Sequence, residues 1–148
     1  MEERFQTFTL LVSNIARNIR KIKTAAMAEF DLKSQHVSCL YYMYKVGSIT
    51  SKELCEICDE DKANVSRSVK FLEERGLVKC DSKLTKRYLA PLELTENGKE
   101  IAEIISRRIA AVLSESSKSI SRDELEIFYR CFAAINDNLQ RISEHCDK

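Results

Sequence analysis

Residues 61–80, DKANVSRSVKFLEERGLVKC, decide which fold the sequence indicates. Asp61 is a favoured residue at a helix N-cap, and Gly76 is a common residue just after a helix ends. At about 100° per residue, Val65, Val69 and Leu72 fall on one side of this helix, which predicts a buried stripe. The opposite side chains are small, polar or basic: Ala63, Ser66, Arg67 and Lys70, flanked by Asn64 and Ser68.

A face of this kind suits the major groove of DNA. Close approach needs small side chains, base edges are met by amide or hydroxyl groups, and phosphates are met by cations. In a helix–turn–helix the second helix buries one stripe and turns its outer face to the groove. A solvated helix face tolerates the same residues, so this stripe taken alone leaves both interpretations open.

The net charge of +1 conceals an uneven distribution. Residues 62–87 contain eight Lys or Arg against three acidic residues. Residues 50–61 contain one basic and five acidic residues, and residues 88–148 contain eight basic and eleven acidic residues. A concentrated basic segment within a neutral chain favours contact with nucleic acid.

The composition indicates one largely helical domain. The 148 residues are 44% hydrophobic and 32% charged, with only three glycines and one proline. No apolar run is long enough to cross a membrane, and the N-terminus lacks a signal-peptide pattern, which predicts a cytoplasmic protein without a membrane partner. The six cysteines are therefore expected to stay reduced.

Two long apolar stripes lie near the two ends, with spacings that alternate between three and four. The first comprises Phe5, Phe8, Val12, Ile15, Ile19, Ile22 and Ala26; the second, after the capping box SRDE at 121–124, comprises Leu125, Phe128, Phe132, Ile135, Leu139 and Ile142. A third long helix is expected between Thr95 and Leu113. Pairing with a second copy of the chain would bury the stripes, and an intramolecular bundle is the alternative.

The middle of the chain predicts a helix over 33–46, a break at Gly47 and a short helix opened by the capping box TSKE at 50–53. After 61–76, LVKCD and YLAPLEL predict a two-stranded hairpin, with Pro91 on a strand that has one open edge. The turn between the strands carries Lys83, Lys86 and Arg87. A hairpin with a basic tip beside a helix–turn–helix is a winged helix, whose tip can reach the minor groove or nearby phosphates.

Three stretches carry a family resemblance. TSKELCEIC, DKANVSRSVKFLEERGLVK and KRYLAPLELTENGKE resemble, in this order, the winged-helix core of the MarR family of bacterial transcription regulators. The resemblance covers about 32–100. It implies a mainly α fold with a small β-hairpin (α+β), in which 1–148 is a single MarR-type domain. Residues 30–95 would form the winged helix-turn-helix core, and 1–29 and 96–148 the dimerisation helices.

The resemblance also implies a function: a homodimeric repressor that binds a pseudo-palindromic operator in double-stranded DNA and is released by a small effector or by oxidation. Carried over by position, the recognition-helix residues are Lys62, Asn64, Ser66, Arg67 and Lys70, and Arg87 matches the family's wing arginine. The expected DNA-binding set adds Ala63, Lys83 and Lys86. Lys86 stands where the family often has an aspartate.

The cysteines leave a second interpretation open. Cys55-Glu-Ile-Cys58 has the spacing of a redox pair or of half a zinc site, but no second pair of ligands is present, and core packing is the preferred interpretation. Cys39 and Cys131 are also expected in the core, and Cys80 and Cys146 nearer the surface. The alternative function is a cysteine-based redox-sensing regulator of the same fold. His36 and His145 are expected to be ordinary packing or surface residues.

Tyr41, Tyr42 and Tyr44 are candidates for binding a small lipophilic or phenolic effector, with core packing as the alternative. The sequence contains no catalytic triad pattern and no glycine-rich phosphate loop, so neither an enzyme nor a metal or cofactor is expected. A winged helix used as a protein-interaction module remains a further alternative.

Overall fold

The computed structural model describes residues 2–58, 60–80 and 87–146. The chain forms two compact units, Met1–Arg108 and Ile109–Lys148. The elements of the described residues are, in order, α1 (Glu2–Ala26), α2 (Ser34–Val46), β1 (Ile49–Thr50), α3 (Ser51–Cys58), α4 (Lys62–Glu74), β2 (Val78–Cys80), β3 (Pro91–Leu94), α5 (Glu96–Ser116) and α6 (Arg122–Cys146). Short 3-10 turns occupy Ala28–Phe30 and Arg87–Leu89. The α+β fold class is confirmed.

The helix boundaries follow from local side-chain chemistry. Thr50 and Glu53 cap α3 reciprocally: the Thr50 N–H donates to Glu53 Oε2 at 2.8 Å, and the Glu53 N–H donates to Thr50 Oγ1 at 3.2 Å. Ser121 and Glu124 cap α6 in the same way, with distances of 2.8 and 3.3 Å. Both capping boxes were predicted, and both are confirmed.

The end of α4 is a Schellman motif. Gly76 has a φ of +66°, the left-handed conformation that glycine adopts without steric cost. Its N–H donates to the Glu73 carbonyl at 2.9 Å, and the Leu77 N–H donates to the Leu72 carbonyl at 2.9 Å. Leu72 and Leu77 are both buried, so the chain turns directly from α4 into the sheet.

The sheet differs from the predicted hairpin. It has three antiparallel strands in the order β1-β3-β2, with Ile49 opposite Leu92 and Val78 opposite Leu94. The prediction of an edge strand for Pro91 was wrong, because β3 is the central strand. Pro91 is tolerated there because it is the first residue of its strand, where the missing N–H costs least.

The start of α5 is held against the residues that directly precede β2. Thr95 accepts the Gly98 N–H on Oγ1 at 3.1 Å, which caps α5, and donates its hydroxyl to the Gly76 carbonyl at 2.6 Å. Its own N–H donates to the Leu77 carbonyl at 3.1 Å. This stretch therefore ties three elements, α4, β2 and α5, to one another.

The core of the first unit lies between the short helices and the sheet. Its fully buried side chains include Leu40 and Met43 on α2, Leu54 on α3 and Leu72 on α4. The predicted stripe of α4 is confirmed, since Val65 and Val69 are 2% and 3% exposed. Together α2, α3, α4 and the sheet form the expected winged helix-turn-helix arrangement.

Much of each terminal stripe is exposed in the single chain. On α1, Ile15, Ile19 and Ile22 are 41–50% exposed. On α6, within the second unit, the exposed members of the stripe are Phe128, Phe132, Ile135, Leu139 and Ile142. Cys131 on the same helix is exposed, so its expected place in the core was wrong for the single chain. None of the described helices is both long and apolar enough to cross a membrane.

Candidate nucleic-acid interface

Helix α4 presents its predicted polar face to solvent. Ala63, Ser66, Arg67 and Lys70 are exposed, and Lys70 lies 3.8 Å from Glu74 in an open ion pair one turn along. Ser68, placed beside this face from the helical wheel, is instead 1% exposed. Its hydroxyl has no hydrogen-bond partner among the described residues. The outer face is therefore narrower than the sequence indicated.

The first turn of α4 holds a chain of polar side chains. Asp61 caps the helix as expected, its Oδ1 accepting the Asn64 N–H at 2.8 Å. The Asn64 amide nitrogen donates to Asp61 Oδ2 at 2.9 Å and to Glu60 Oε2 at 3.2 Å. Asn64 Oδ1 in turn accepts a hydrogen bond from Arg67 Nη2. Arg67 is thus joined through Asn64 to the helix cap.

Lys62 contacts the residue that follows the basic turn. Its Nζ lies 4.4 Å from the centroid of the Tyr88 ring, within cation–π range. The Tyr88 hydroxyl donates to Cys55 Sγ at 3.8 Å, and this contact raises the pKa of Tyr88. Tyr88 therefore joins the base of the wing to both helices of the helix–turn–helix. Sequence reasoning missed this role, and the only signal was an aromatic residue directly after the basic turn.

The tip of the wing falls outside the described residues. Lys83 and Lys86 lie there, and Arg87 is described only by its place in the 3-10 turn Arg87–Leu89. The second predicted strand therefore begins at Pro91, later than expected. Lys79 of β2 lies directly opposite Glu93 of β3, and the two form an ion pair with 3.0 Å between Nζ and Oε2.

The CxxC motif contributes to a thiol pair with a residue on another helix. Cys58 on α3 is half-buried, and Cys39 on α2 is buried. A hydrogen bond from the Cys39 thiol lowers the pKa of Cys58, and the positive charge of Lys23 also lowers it. Burial and the negative charge of Glu60 act in the opposite direction, and the net effect is a lowered pKa. The same hydrogen bond, together with burial, raises the pKa of Cys39. Packing of Cys39 in the core is confirmed, whereas Cys55 and Cys58 are only partly covered.

His36 is a packing residue, as expected. Its ring stacks on Phe71 of α4 with 4.2 Å between centroids, and its Nδ1 accepts the Lys33 N–H at 3.2 Å. Burial, with a smaller contribution from the Lys33 charge, lowers the pKa of His36. The stack places α2 against the last turns of α4. His145 is exposed on α6.

The three candidate effector tyrosines do not converge on one site. Tyr44 lines an open cleft of about 730 Å³, together with the end of α2, strands β2 and β3, and the start of α5. Tyr41 and Tyr42 make an edge-to-face contact with each other, 5.4 Å between centroids. Lys45 lies 5.5 Å from the Tyr41 ring centroid. Within the described parts of the chain, no cluster of His, Cys, Asp and Glu has the arrangement of a metal site.

Comparisons with known proteins agree with this architecture. The model of the MarR family matches residues 30–87. Among curated proteins, the uncharacterised HTH-type transcriptional regulator YwaE of Bacillus subtilis is 22% identical over 119 residues, covering 80% of this chain and 70% of that protein.

Two solved structures share the fold over most of their length. Staphylococcus aureus MarR in complex with salicylate and kanamycin has a TM-score of 0.82 at 20% identity, covering 95% of each chain. A putative MarR family regulator of Listeria monocytogenes, complexed with 26mer DNA, has a TM-score of 0.78 at 22% identity, covering 86% of this chain and 85% of that one. The family match falls on the winged helix-turn-helix itself, and the common fold extends well beyond it. Residues 30–87 of this chain therefore match the MarR family of winged helix-turn-helix transcription regulators, and the chain as a whole shares the fold of solved MarR-type structures.

Proposed function

We propose that this chain is a cytoplasmic homodimeric repressor that binds a pseudo-palindromic operator and releases it when a small molecule binds. The observation that carries the proposal is the exposed outer face of α4, whose small, polar and basic side chains are held on a capped helix. The Listeria monocytogenes relative complexed with 26mer DNA supports the same use of the fold. No catalytic role is proposed for any residue.

The DNA contacts would come from α4 and the wing. We assign Lys62, Ala63, Asn64, Ser66, Arg67 and Lys70 to the helix side of the interface, and Lys83, Lys86 and Arg87 to the wing. Asn64 would contribute by holding the Arg67 side chain in place and would not contact DNA itself. Two such units in a dimer would meet successive turns of the major groove, about 34 Å apart.

A binding titration tests this function. Wild-type protein and the variants Arg67→Ala and Lys70→Ala would be measured by fluorescence anisotropy against DNA selected from a random library. Arg67→Ala should lower affinity by about 1–3 kcal/mol if the side chain reads a base. Lys70→Ala should lower affinity similarly on all sequences and make the salt dependence shallower. Wild-type affinity in both variants would refute the assignment, as would no DNA binding at low salt.

The homodimer is supported by the exposed stripes of α1 and α6. Apolar side chains repeating every three or four residues over about five or six turns are unusual on a helix that stays in water. Replacing Ile135 by Lys should shift the protein from dimer to monomer in light scattering after gel filtration. Replacing the exposed, polar Asn138 on the same helix by Lys is the matched control. Equal masses for both variants and the wild type would contradict the proposed interface.

The effector would occupy the cleft lined by Tyr44, which combines an aromatic ring with the apolar Met43 and Leu94 and the charged Lys79 and Lys99. The Staphylococcus aureus relative in complex with salicylate and kanamycin supports a small-molecule ligand. Salicylate can serve as the probe in calorimetry. Tyr44→Ala should weaken its binding, whereas Tyr41→Ala should not. Equal losses in the two variants would place the ligand elsewhere.

A redox-sensing regulator is the second candidate. The observation in its favour is the hydrogen-bonded pair of Cys39 and Cys58 between α2 and α3. It predicts that hydroperoxide treatment weakens operator binding and that dithiothreitol restores it. Unchanged binding after oxidation of Cys58, verified by mass spectrometry, would exclude this mode of release.

A further inference from the structure

Asn64 has used its hydrogen-bonding groups within the protein. A side-chain amide offers two N–H donors and one carbonyl acceptor. Here the amide nitrogen faces two acceptors, Asp61 Oδ2 at 2.9 Å and Glu60 Oε2 at 3.2 Å. The carbonyl oxygen faces the donor Arg67 Nη2. Because carboxylates only accept and a guanidinium only donates, the orientation of the amide is fixed by its neighbours.

This arrangement removes Asn64 from direct reading of bases. Asparagine recognises adenine by donating from its amide nitrogen to N7 and accepting from N6 with its oxygen at the same time. In Asn64, both the amide nitrogen and the amide oxygen already have hydrogen-bond partners within the protein. Breaking three hydrogen bonds, two of them to carboxylates, would cost more than a neutral pair with adenine returns.

Arg67 is left as the base-reading side chain of this turn. It is exposed on the outer face of α4, and one N–H group of its guanidinium is held by Asn64. The other N–H groups keep the planar fork that matches two acceptors at once. In the major groove, guanine presents such a pair, O6 and N7.

The acidic side chains behind Asn64 decide between a base and a phosphate for Arg67. Glu60 and Asp61 both point into the cluster that holds Asn64. Two carboxylates at this place repel a phosphate group, whereas the neutral acceptors of guanine are repelled far less. Lys70, one turn further along α4, has only the solvent-exposed ion pair with Glu74 at 3.8 Å, which water screens and a phosphate can replace, so Lys70 suits a phosphate better.

We propose that Glu60, Asp61 and Asn64 form a relay that positions Arg67 to read a guanine in each half-site of the operator. This inference rests on the proposed function, since it needs sequence-specific DNA binding. Asn64 is a positioning residue in this scheme, and Arg67 is the residue that determines specificity. The ordered guanidinium loses less side-chain freedom on binding than an unsupported arginine would.

The test uses the full-length protein and the best DNA site recovered by the wild type from a random library. Each guanine of that site is replaced in turn by 7-deazaguanine, which keeps base pairing but lacks the N7 acceptor. For one guanine per half-site, the wild type should lose affinity about 2- to 12-fold, which corresponds to about half the free energy of a good bidentate contact, because O6 still accepts a hydrogen bond. Asn64→Ala and Arg67→Lys should lose most of that discrimination at this guanine alone. Lys70→Ala, the matched control, should retain it.

The readout separates positioning from general damage. A structural defect in Asn64→Ala would lower affinity equally for every DNA, modified or not, and that result would overturn the relay. Discrimination in Asn64→Ala equal to that of the wild type would overturn it as well. Arg67→Lys keeps the charge and reports on the same guanine even if Asn64→Ala folds poorly. A wild type that selects DNA without any sensitive guanine refutes this inference alone, whereas a wild type that selects no DNA refutes the proposed function.

Discussion

Gly98 offers the sharpest test of how the winged helix is joined to α5. A Cβ atom at this position would lie 1.9 Å from the Leu77 carbonyl oxygen and 2.9 Å from its carbonyl carbon. The same oxygen accepts the Thr95 N–H at 3.1 Å. The Gly98 N–H donates to Thr95 Oγ1, also at 3.1 Å. A methyl group would therefore press on backbone atoms that hydrogen bonds hold in place.

Two effects of Gly98→Ala oppose each other. Within a helix, replacing glycine by alanine normally stabilises by about 0.5–1 kcal/mol. Here the distance to the Leu77 oxygen must lengthen from 1.9 Å to about 3.4 Å before the contact is ordinary. Overpacking costs about 1–3 kcal/mol, and the upper end applies where the obstacle is backbone. The steric effect is larger, so we expect a net loss of about 2 kcal/mol in the free energy of unfolding.

Urea denaturation followed by circular dichroism measures this loss, with the protein concentration held constant because an oligomer's stability depends on it. Gly76→Ala is the matched control, because a Cβ at Gly76 meets no atom within 4 Å and its cost comes only from the φ of +66°. That control should lose about 1–2 kcal/mol. A Gly98→Ala variant as stable as the wild type, or more stable, would refute the close approach of α5 to Leu77.

Three further predictions follow from single contacts. Tyr88→Ala should weaken operator binding two- to fivefold, since the cation–π contact with Lys62 contributes about 0.5–1 kcal/mol, whereas Tyr88→Phe keeps the ring and should bind nearly as the wild type; equal anisotropy titrations for both would contradict the anchoring of the wing. Cys58 should react with iodoacetamide at neutral pH faster than the exposed Cys131, because its pKa is lowered, and mass spectrometry showing the reverse order would disprove this. Because burial lowers the pKa of His36, the unfolded chain binds more protons just below about pH 6.5, and the free energy of unfolding should fall on acidification through this range. Urea midpoints at pH 7.5 and 5.5 should differ less in His36→Asn, and an unchanged difference would remove His36 as the cause.

The features that local chemistry determines were predictable from the sequence. Asp61 and Gly76 marked the ends of α4, because an N-cap and a left-handed residue act on their nearest neighbours. The buried stripe of α4 followed from helical periodicity alone. The two capping boxes at 50–53 and 121–124 were found for the same reason.

Pairing between distant segments was not predictable in this way. Strand β1 has two residues, too few to show an alternating pattern, and it exists because Ile49 and Thr50 pair with residues of β3 some forty positions later. That pairing makes β3 central and overturns the edge strand inferred from Pro91. Ser68 was misplaced for a related reason, since a wheel places a side chain by angle and takes no account of what packs beside it.

The candidate interface shows a different limit, because its decisive contacts are close in sequence and yet invisible there. Asn64 and Arg67 are three residues apart, a spacing that permits contact on a helix without requiring it. What selects the contact is the pair of carboxylates on Glu60 and Asp61, which take up the amide nitrogen and turn the oxygen toward Arg67. In the sequence, Asp61 was identified only as an N-cap and Glu60 only as part of the acidic stretch 50–61. In the proposed relay they determine which side chain is free to read a base, so the acidic turn before α4 would contribute to specificity through the arginine that it orients.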